Sequence, residues 1–165
     1  MSRGFVKEDD LEHAGTDVPE RQISQHLNYV TVNGYAQLEK LATDLEKQRQ
    51  LLSAKKDDAA VIAQLAVINR NLRYVAARLE NALITRPDPS AQQVLFGATV
   101  TVEDEEGLSH TYEIVGEDEA DIKAGKVSWI SPLAKALIGH KVDENVVWAR
   151  PAGNQHLTIT SINYK

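Results

Sequence analysis

The sequence predicts an α+β protein, in which an antiparallel helical hairpin at residues 31–85 is followed by an antiparallel β domain with one short helix at residues 86–165. Three observations support this prediction. Two apolar runs have helical spacing, a proline-containing break follows them, and the second half of the chain alternates in period two. Residues 1–30 are predicted to form a flexible acidic arm.

The arm shows neither helical nor strand periodicity, and it carries three basic and six acidic side chains. Such a composition is typical of a mobile terminus. Its acidic side chains are concentrated at Glu8, Asp9, Asp10 and Glu12. Because Phe5 and Val6 are apolar, a docking peptide that orders on a partner is an alternative interpretation.

Two apolar runs predict the hairpin. Thr31 is suited to cap a helix whose apolar side chains follow at spacings of three, four and seven, namely Leu38, Leu41, Leu45 and Leu52. A second run, with spacings of four and three, contains Val61, Leu65, Ile68, Leu72, Val75 and Leu79. This is a heptad seam. Since no long linker separates the runs, we expect the second helix, residues 57–83 with Ser53 or Asp57 as its cap, to fold back on the first.

A break at residues 85–90, TRPDPS, ends the helical region, because Pro87 and Pro89 remove amide donors and disfavour helix in the preceding residues. Period-two alternation after this break predicts strands around Ala98, Val100, Val102, Tyr112, Ile114, Val146, Val147, Trp148, Leu157, Ile159 and Ile162. The acidic run at residues 103–106, followed by Gly107, is typical of a solvated hairpin turn.

One short helix is predicted within the β domain. Ser131 is a candidate N-cap, and Pro132 occupies the first helical position, where its missing amide hydrogen costs nothing. Gly139 is a suitable stop after the apolar residues that follow.

Composition excludes several classes of protein. The net charge of −6 and the pI near 5.4 argue against broad electrostatic capture of nucleic acid. No apolar run approaches the ~18 residues that span a bilayer, and the N-terminus has no signal-peptide pattern, so we expect neither membrane association nor secretion. The absence of cysteine is compatible with a reducing compartment, and we expect a cytoplasmic protein.

Catalytic and metal-binding motifs are absent. The five histidines lack metal-ligand spacing, and no HExxH, GxSxG or P-loop sequence occurs. We therefore expect no metal or cofactor bound by the protein in isolation. Asp57 and Asp58 are the candidate site residues on the hairpin, because its geometry places them at the far end. Helix capping is the simpler explanation for these two carboxylates.

Residues 96–153 resemble the C-terminal domain of bacterial GreA/GreB transcript-cleavage factors. The resemblance includes FGATV at 96–100, YEIVGEDEAD at 112–121 and SPLAKALIG at 131–139, and it follows a helical hairpin as in that family. It extends over residues 29–165. The arm before them lies outside it.

This resemblance implies an FKBP-like β domain without isomerase activity and a regulator of transcription elongation that is not an enzyme alone. Family members bind RNA polymerase at its secondary channel, where the hairpin enters and contact with nucleic acid is indirect. The residues that correspond to the family's polymerase-contacting turn are Ile130, Ser131 and Pro132. We expect a monomer, because the predicted rod has a polar exterior.

The hairpin departs from the cleavage factors at its tip. Their DxxEN-type pattern, whose carboxylates help the polymerase hold a second Mg²⁺, is absent, and the hairpin is roughly a dozen residues shorter, which removes about 10 Å of reach. Magnesium coordination does not tolerate such an error. An alternative retains the activity: Asp57 and Asp58 would share Mg²⁺ with the polymerase and stimulate cleavage of backtracked RNA.

A third alternative is an interaction adaptor. Short-hairpin relatives of the regulator-of-nucleoside-diphosphate-kinase type lack the cleavage acids, and the acidic arm would then bind another, basic partner. The arm would add carboxylates to the tip if it ran along the hairpin, which the sequence alone does not show.

Overall fold

The computed structural model describes residues 18–55 and 57–165, which divide into two compact units. One unit contains residues 38–80 together with the described arm residues as far as Gln25. The other contains residues 26–37 and 81–165. These units are not the same segments as the predicted domains 1–30, 31–85 and 86–165, which stay a prediction.

Two helices of equal length form the helical region, α1 at Val32–Ser53 and α2 at Ala59–Glu80. Thr31 caps α1 as predicted, because its Oγ1 accepts a hydrogen bond from the amide of Gly34 at 2.9 Å. The predicted α2 caps Ser53 and Asp57 are wrong, whereas the capping explanation given for Asp58 is confirmed. Asp58 caps this helix, and its Oδ1 accepts from the amide of Ala60 at 2.9 Å, whereas Ser53 Oγ donates back to the carbonyl of Arg49.

The helices pack in opposite directions, as the short connection between the two apolar runs predicts. Residues 48–52 of α1 share a groove with residues 64–68 of α2, whereas earlier residues of α1 share another groove with Leu72. The seam is buried at seven-residue intervals, at Leu38 and Leu45 in α1 and at Val61, Ile68 and Val75 in α2. Leu41, predicted to lie in the seam, is 43% exposed.

Strands flank the two helices along the chain. β1, Asn28–Val30, pairs in parallel with β2, Ala82–Ile84, so the strand before α1 lies beside the strand after α2. Neither strand was predicted. α2 ends at Glu80 instead of residue 83, because residues 82–84 satisfy their backbone groups in this ladder. β1 lies within the segment predicted as an arm.

A five-stranded sheet forms the β domain, in the order β5–β4–β3–β7–β6. Its strands are β3 at Thr99–Glu103, β4 at Ser109–Val115, β5 at Lys126–Ser128, β6 at Asn145–Trp148 and β7 at Gln155–Asn163. The sheet is mixed instead of purely antiparallel. β5 pairs in parallel with β4, because the connection through the 3₁₀ turn Ile122–Ala124 returns the chain to the same end of the sheet.

The short helix α3, Pro132–Leu137, packs one face into the core of this domain. The alternation in β3 is confirmed, because Ala98, Val100 and Val102 are all fully buried. In β7 the alternation changes phase at Thr160, an extra residue opposite the Thr101–Val102 step, so Ile159 and Ile162 both contribute to the core.

The acidic run at 103–106 forms the predicted hairpin turn between β3 and β4. Asp104 organises it, since its Oδ1 accepts hydrogen bonds from the amides of Glu106 and Leu108 at 2.9 and 3.0 Å. Its Oδ2 lies 2.9 Å from Nε2 of His110. Across the described ranges, no helix has both the length and the apolar character needed to cross a membrane.

Candidate functional site

The turn that contains Ile130, Ser131 and Pro132 is fixed by one backbone hydrogen bond and two hydrogen bonds to serine side chains. The amide of Ser131 donates to the carbonyl of Ser128 at 2.9 Å, and Ser128 Oγ accepts from the amide of Ile130 at 3.3 Å. Ser131 Oγ then accepts from the amide of Ala134 at 3.2 Å and caps α3, with Pro132 at the first helical position. The predicted cap is confirmed.

The exposed part of this turn is small and apolar. Pro132 is exposed and Ile130 is half-buried, whereas Leu133 and Ala134 of the following helical turn are buried at 2% and 0% exposure. The turn is therefore anchored from one side and presents Pro132 to solvent on the other. A preorganised surface of this kind loses little conformational entropy when a partner covers it.

An aromatic cluster supports the residue that precedes the turn. The ring of Trp129 meets Tyr29 edge-on with 5.0 Å between centroids, and His26 at 6.1 Å. Tyr29 in turn contacts Phe96 at 5.9 Å. The backbone amide of Trp129 donates to the carbonyl of Val115 at 2.9 Å, so both its main chain and its ring are held.

Sequence reasoning missed this cluster, because His26 and Tyr29 were included in the predicted arm. The only signal was the presence of aromatic residues at the end of a polar segment. Their partner Trp129 lies about a hundred positions further along the chain. No spacing rule connects residues so far apart.

The first turn of α1 is attached to the β domain by a second cluster of contacts. Glu119, 7% exposed, accepts a hydrogen bond from Thr31 Oγ1 at 2.5 Å and another from Asn33 Nδ2 at 3.1 Å. Its carboxylate also lies 3.6 Å from Nζ of Lys126. Gly34 is in close contact with it, since a Cβ there would stand 2.6 Å from Glu119 Oε2.

The tip of the hairpin carries the two other predicted site residues, and both are exposed. One carboxylate oxygen of Asp58 caps α2 by accepting a hydrogen bond from the amide of Ala60. The backbone carbonyl of Asp58 accepts another from the amide of Ile62 at 3.0 Å. Its role as a cap accounts for its position without any ligand. Asp57 precedes the cap and is not part of it.

A metal site needs more ligands than the tip supplies. Within residues 18–55 and 57–165, no three His, Cys, Asp or Glu side chains form a group that could hold a metal ion. Asp57 and Asp58 alone give Mg²⁺ at most two carboxylates, one of them already engaged as a cap. These residues do not fit a self-sufficient magnesium site.

The described part of the arm contacts α2. Nε of Arg73 donates to both carboxylate oxygens of Glu20 at 3.1 Å, and the Arg21 guanidinium lies 3.7 Å from the ring centroid of Tyr74. The Arg73 guanidinium, with a smaller effect of Arg70, holds the pKa of Glu20 below its ordinary value. The acidic cluster Glu8, Asp9, Asp10 and Glu12, together with Phe5 and Val6, lies outside the described residues.

The known proteins with related sequences are transcription elongation factors. The family model described as the C-terminal domain of transcription elongation factor GreA/GreB matches residues 89–164. Transcription elongation factor GreA of Pelobacter propionicus is 41% identical over 126 residues, which are 74% of this chain and 74% of the relative. Transcription elongation factor GreB of Neisseria meningitidis serogroup B is 40% identical over 99 residues, or 59% of this chain and 61% of the relative.

Among solved structures, GreA factor homolog 1 of Thermus thermophilus is similar with a TM-score of 0.41 and 23% identity, and the match covers 84% of this chain and 99% of that one. The family rests on the sequence relatives, since the GreA match covers about three quarters of both chains. The resemblance predicted from the motifs between residues 96 and 153 is thus confirmed. The chain belongs to the GreA/GreB family of transcription elongation factors, which are not themselves enzymes.

Proposed function

We propose that the protein regulates elongation by binding RNA polymerase at its secondary channel, with the turn at Ile130, Ser131 and Pro132 as the docking point and the hairpin inserted into the channel. The observation that carries the proposal is the form of this turn. One backbone hydrogen bond, one hydrogen bond to the Ser128 side chain and a capped helix hold it, and it exposes an apolar point beside buried residues. Rigid apolar points surrounded by polar surface are typical of protein–protein contacts.

The hairpin supports the same proposal. Each helix has 22 residues and thus spans about 33 Å at ~1.5 Å per residue, a length suited to entering a channel. The seam is apolar and buried, while charged side chains such as Glu46 and Arg49 pair on the outside. The charged side chains on the outside of α1 can face an aqueous channel while the apolar seam stays buried.

Binding of core RNA polymerase tests the docking turn. In Pro132→Glu a charge replaces the apolar point, and the fold should persist because a carboxylate in the first turn of a helix is stabilised by the helix dipole. We expect affinity to fall by at least about tenfold, as for an interface residue that carries binding energy. Competition of the wild-type protein with a known secondary-channel factor identifies the location.

A matched control is Pro151→Glu, because Pro151 is also exposed and lies in a turn of the same domain. Its affinity for polymerase should stay within about twofold of wild type, as for a residue outside an interface. Equal losses in both variants would show a general effect of negative charge. Wild-type protein that binds without displacing the channel factor would contradict the location.

A second candidate function, stimulation of RNA cleavage through shared Mg²⁺, concerns the tip. Asp57 is the informative residue, since it is exposed and outside the cap, so Asp57→Asn should leave folding unchanged. If the tip supplies a carboxylate to the polymerase active centre, polymerase should cleave the RNA of backtracked complexes at least about tenfold more slowly with this variant than with wild-type protein. If wild-type protein does not accelerate cleavage of the backtracked RNA, stimulation of cleavage is excluded. Regulation by binding in the channel then remains as the proposed function.

A further inference from the structure

The tip half of α2 exposes an unusual surface for a helix in water. Residues 59–69 contain no charged side chain, and Ile62 and Val67 are 39% and 38% exposed. Solvent-exposed helix faces normally carry charged or polar residues. An uncharged helix surface with exposed apolar side chains is typical of a surface that another segment or protein covers.

The described arm indicates the covering segment. Arg21 lies over Tyr74 of α2, and Glu20 binds Arg73, which directly precedes Tyr74. Since successive helical residues are about 100° apart, the arm crosses the outer surface of α2 from the Tyr74 side to the Arg73 side as it runs toward its N-terminus. Glu20, the more N-terminal of the two contacting residues, is thus on the Arg73 side of the helix.

That side continues toward the tip as a stripe. Positions separated by four, three and four residues lie on one helical face, here Ile62, Ala66, Asn69 and Arg73, which we call the Arg73 face. A groove of about 460 Å³ borders it, lined by Arg49, Asn69, Leu72, Arg73 and Ala76. The Arg73 face therefore has one arginine at one end and an exposed isoleucine at the other, and Arg49 of α1 lines the bordering groove.

The chain's own N-terminal segment complements this face in charge and length. Residues 8–20 contain six acidic side chains and no lysine or arginine, whereas the accessible arginines of α2 are Arg70 and Arg73, since Arg78 is buried. Fully extended, the residues before Val18 would reach about 56 Å at ~3.3 Å per residue. The distance along α2 from Arg73 to Ala59 is only about 21 Å.

We propose that residues 11–17 bind the Arg73 face of α2, so that the N-terminal arm is an intramolecular partner of the hairpin and covers its uncharged tip half. Glu20 and Arg21 anchor the segment at Arg73 and Tyr74. At ~3.3 Å per residue, the residue that reaches Ile62 is about five positions before Glu20, at Gly15. This proposal does not depend on polymerase binding.

Disulfide trapping in the full chain tests the proposal, because the protein has no native cysteine. The variant Gly15→Cys/Ile62→Cys probes the Arg73 face. The matched control, Gly15→Cys/Val67→Cys, places the second thiol on the same helix at nearly equal exposure but on the Tyr74 side. The reaction rate of each single-cysteine variant with a small thiol reagent measures the intrinsic reactivity of that thiol. The two rates of disulfide formation are divided by these reactivities before they are compared.

We expect intramolecular trapping of the Ile62 pair to be at least about fivefold faster, because docking raises the local concentration of one thiol at one site only. Adding Arg73→Gln should remove this preference, since it releases Glu20. Equal rates for the two pairs, or a preference that survives Arg73→Gln, would overturn the proposal. Predominant crosslinking between two chains would assign the Arg73 face to a second copy instead.

Discussion

Thr31 and Glu119 are joined by a hydrogen bond of 2.5 Å between residues 88 positions apart. The same hydroxyl oxygen of Thr31 accepts from the amide of Gly34, so one side chain both begins α1 and binds the loop that follows β4. Glu119 is nearly inaccessible and accepts a second bond from Asn33. The start of the helix and the β domain are therefore expected to be energetically coupled.

Gly34→Ala should reveal this coupling. Its methyl group would stand 2.6 Å from Glu119 Oε2, so the carboxylate must move and lose hydrogen bonds. We expect the free energy of unfolding to fall by about 1–3 kcal/mol in chemical denaturation, the cost of a buried acceptor left unpaired. In a Glu119→Ala background the obstructing carboxylate is absent, and the same glycine substitution should be neutral or stabilising because alanine favours helix. Equal losses in both backgrounds would contradict the coupling.

Asp58→Ala and Asp57→Ala should differ in their effect on stability. Asp58 caps α2 through the amide of Ala60, and loss of such a cap costs about 0.5–2 kcal/mol. Asp57 is exposed and outside the cap, so its replacement should change the free energy of unfolding by less than about 0.5 kcal/mol. Thermal unfolding followed by circular dichroism separates the two, and a larger loss for Asp57 would show that the cap is misassigned.

Acid should loosen the turn between β3 and β4. The ring of His110, with the amides of Leu108 and Glu106, holds the pKa of Asp104 below its ordinary value. Because the folded pKa is lowered, the stabilisation is present above the unfolded-state pKa, near 3.9, and is lost as the pH falls through the folded value. Acid unfolding curves of Asp104→Asn should lack this component below about pH 4.

The exposed neighbour Glu106 provides the control for this titration, because its side chain takes no part in the carboxylate interactions that organise the turn. Glu106→Gln should retain the acid-dependent component of wild type. If Asp104→Asn and wild type lose stability in parallel on acidification, the carboxylate of Asp104 does not titrate with folding.

Leucine truncation should distinguish the two sides of α1. Leu45 is 7% exposed and lies in the seam, so Leu45→Ala should cost about 2–4 kcal/mol in the free energy of unfolding. Leu41 is 43% exposed, and Leu41→Ala should cost less than about 1 kcal/mol. Urea denaturation measures the free energy of unfolding of both variants. Similar losses would show that Leu41 is packed in the seam.

Local patterns predicted much of this fold. The spacing of Leu45, Ile68 and Val75 identified the helical seam, and the Ser131–Pro132 pair identified the start of α3. Each of these signals arises from residues within a few turns of one another, where helical geometry and capping dominate.

Long-range pairings were not predicted. The parallel pair β1–β2 joins segments that lie on either side of two helices, and three-residue strands have too few positions for a period to show. The contact of Tyr29 with Trp129 was missed for the same reason. Leu41 was misassigned because spacing alone does not show which of two apolar positions three and four residues apart faces the partner helix, and in α1 the buried leucines are Leu38 and Leu45.

Because β1 pairs with β2, the chain enters and leaves the helical hairpin at adjacent positions. Asn28 lies beside Ala82, and Val30 beside Ile84, so everything between them is topologically an insertion with its two ends fixed together. Heptads can be gained or lost in matched numbers on the two helices without altering the strands that enclose them. Evolution can thus adjust how far such a factor extends while leaving its β domain unchanged.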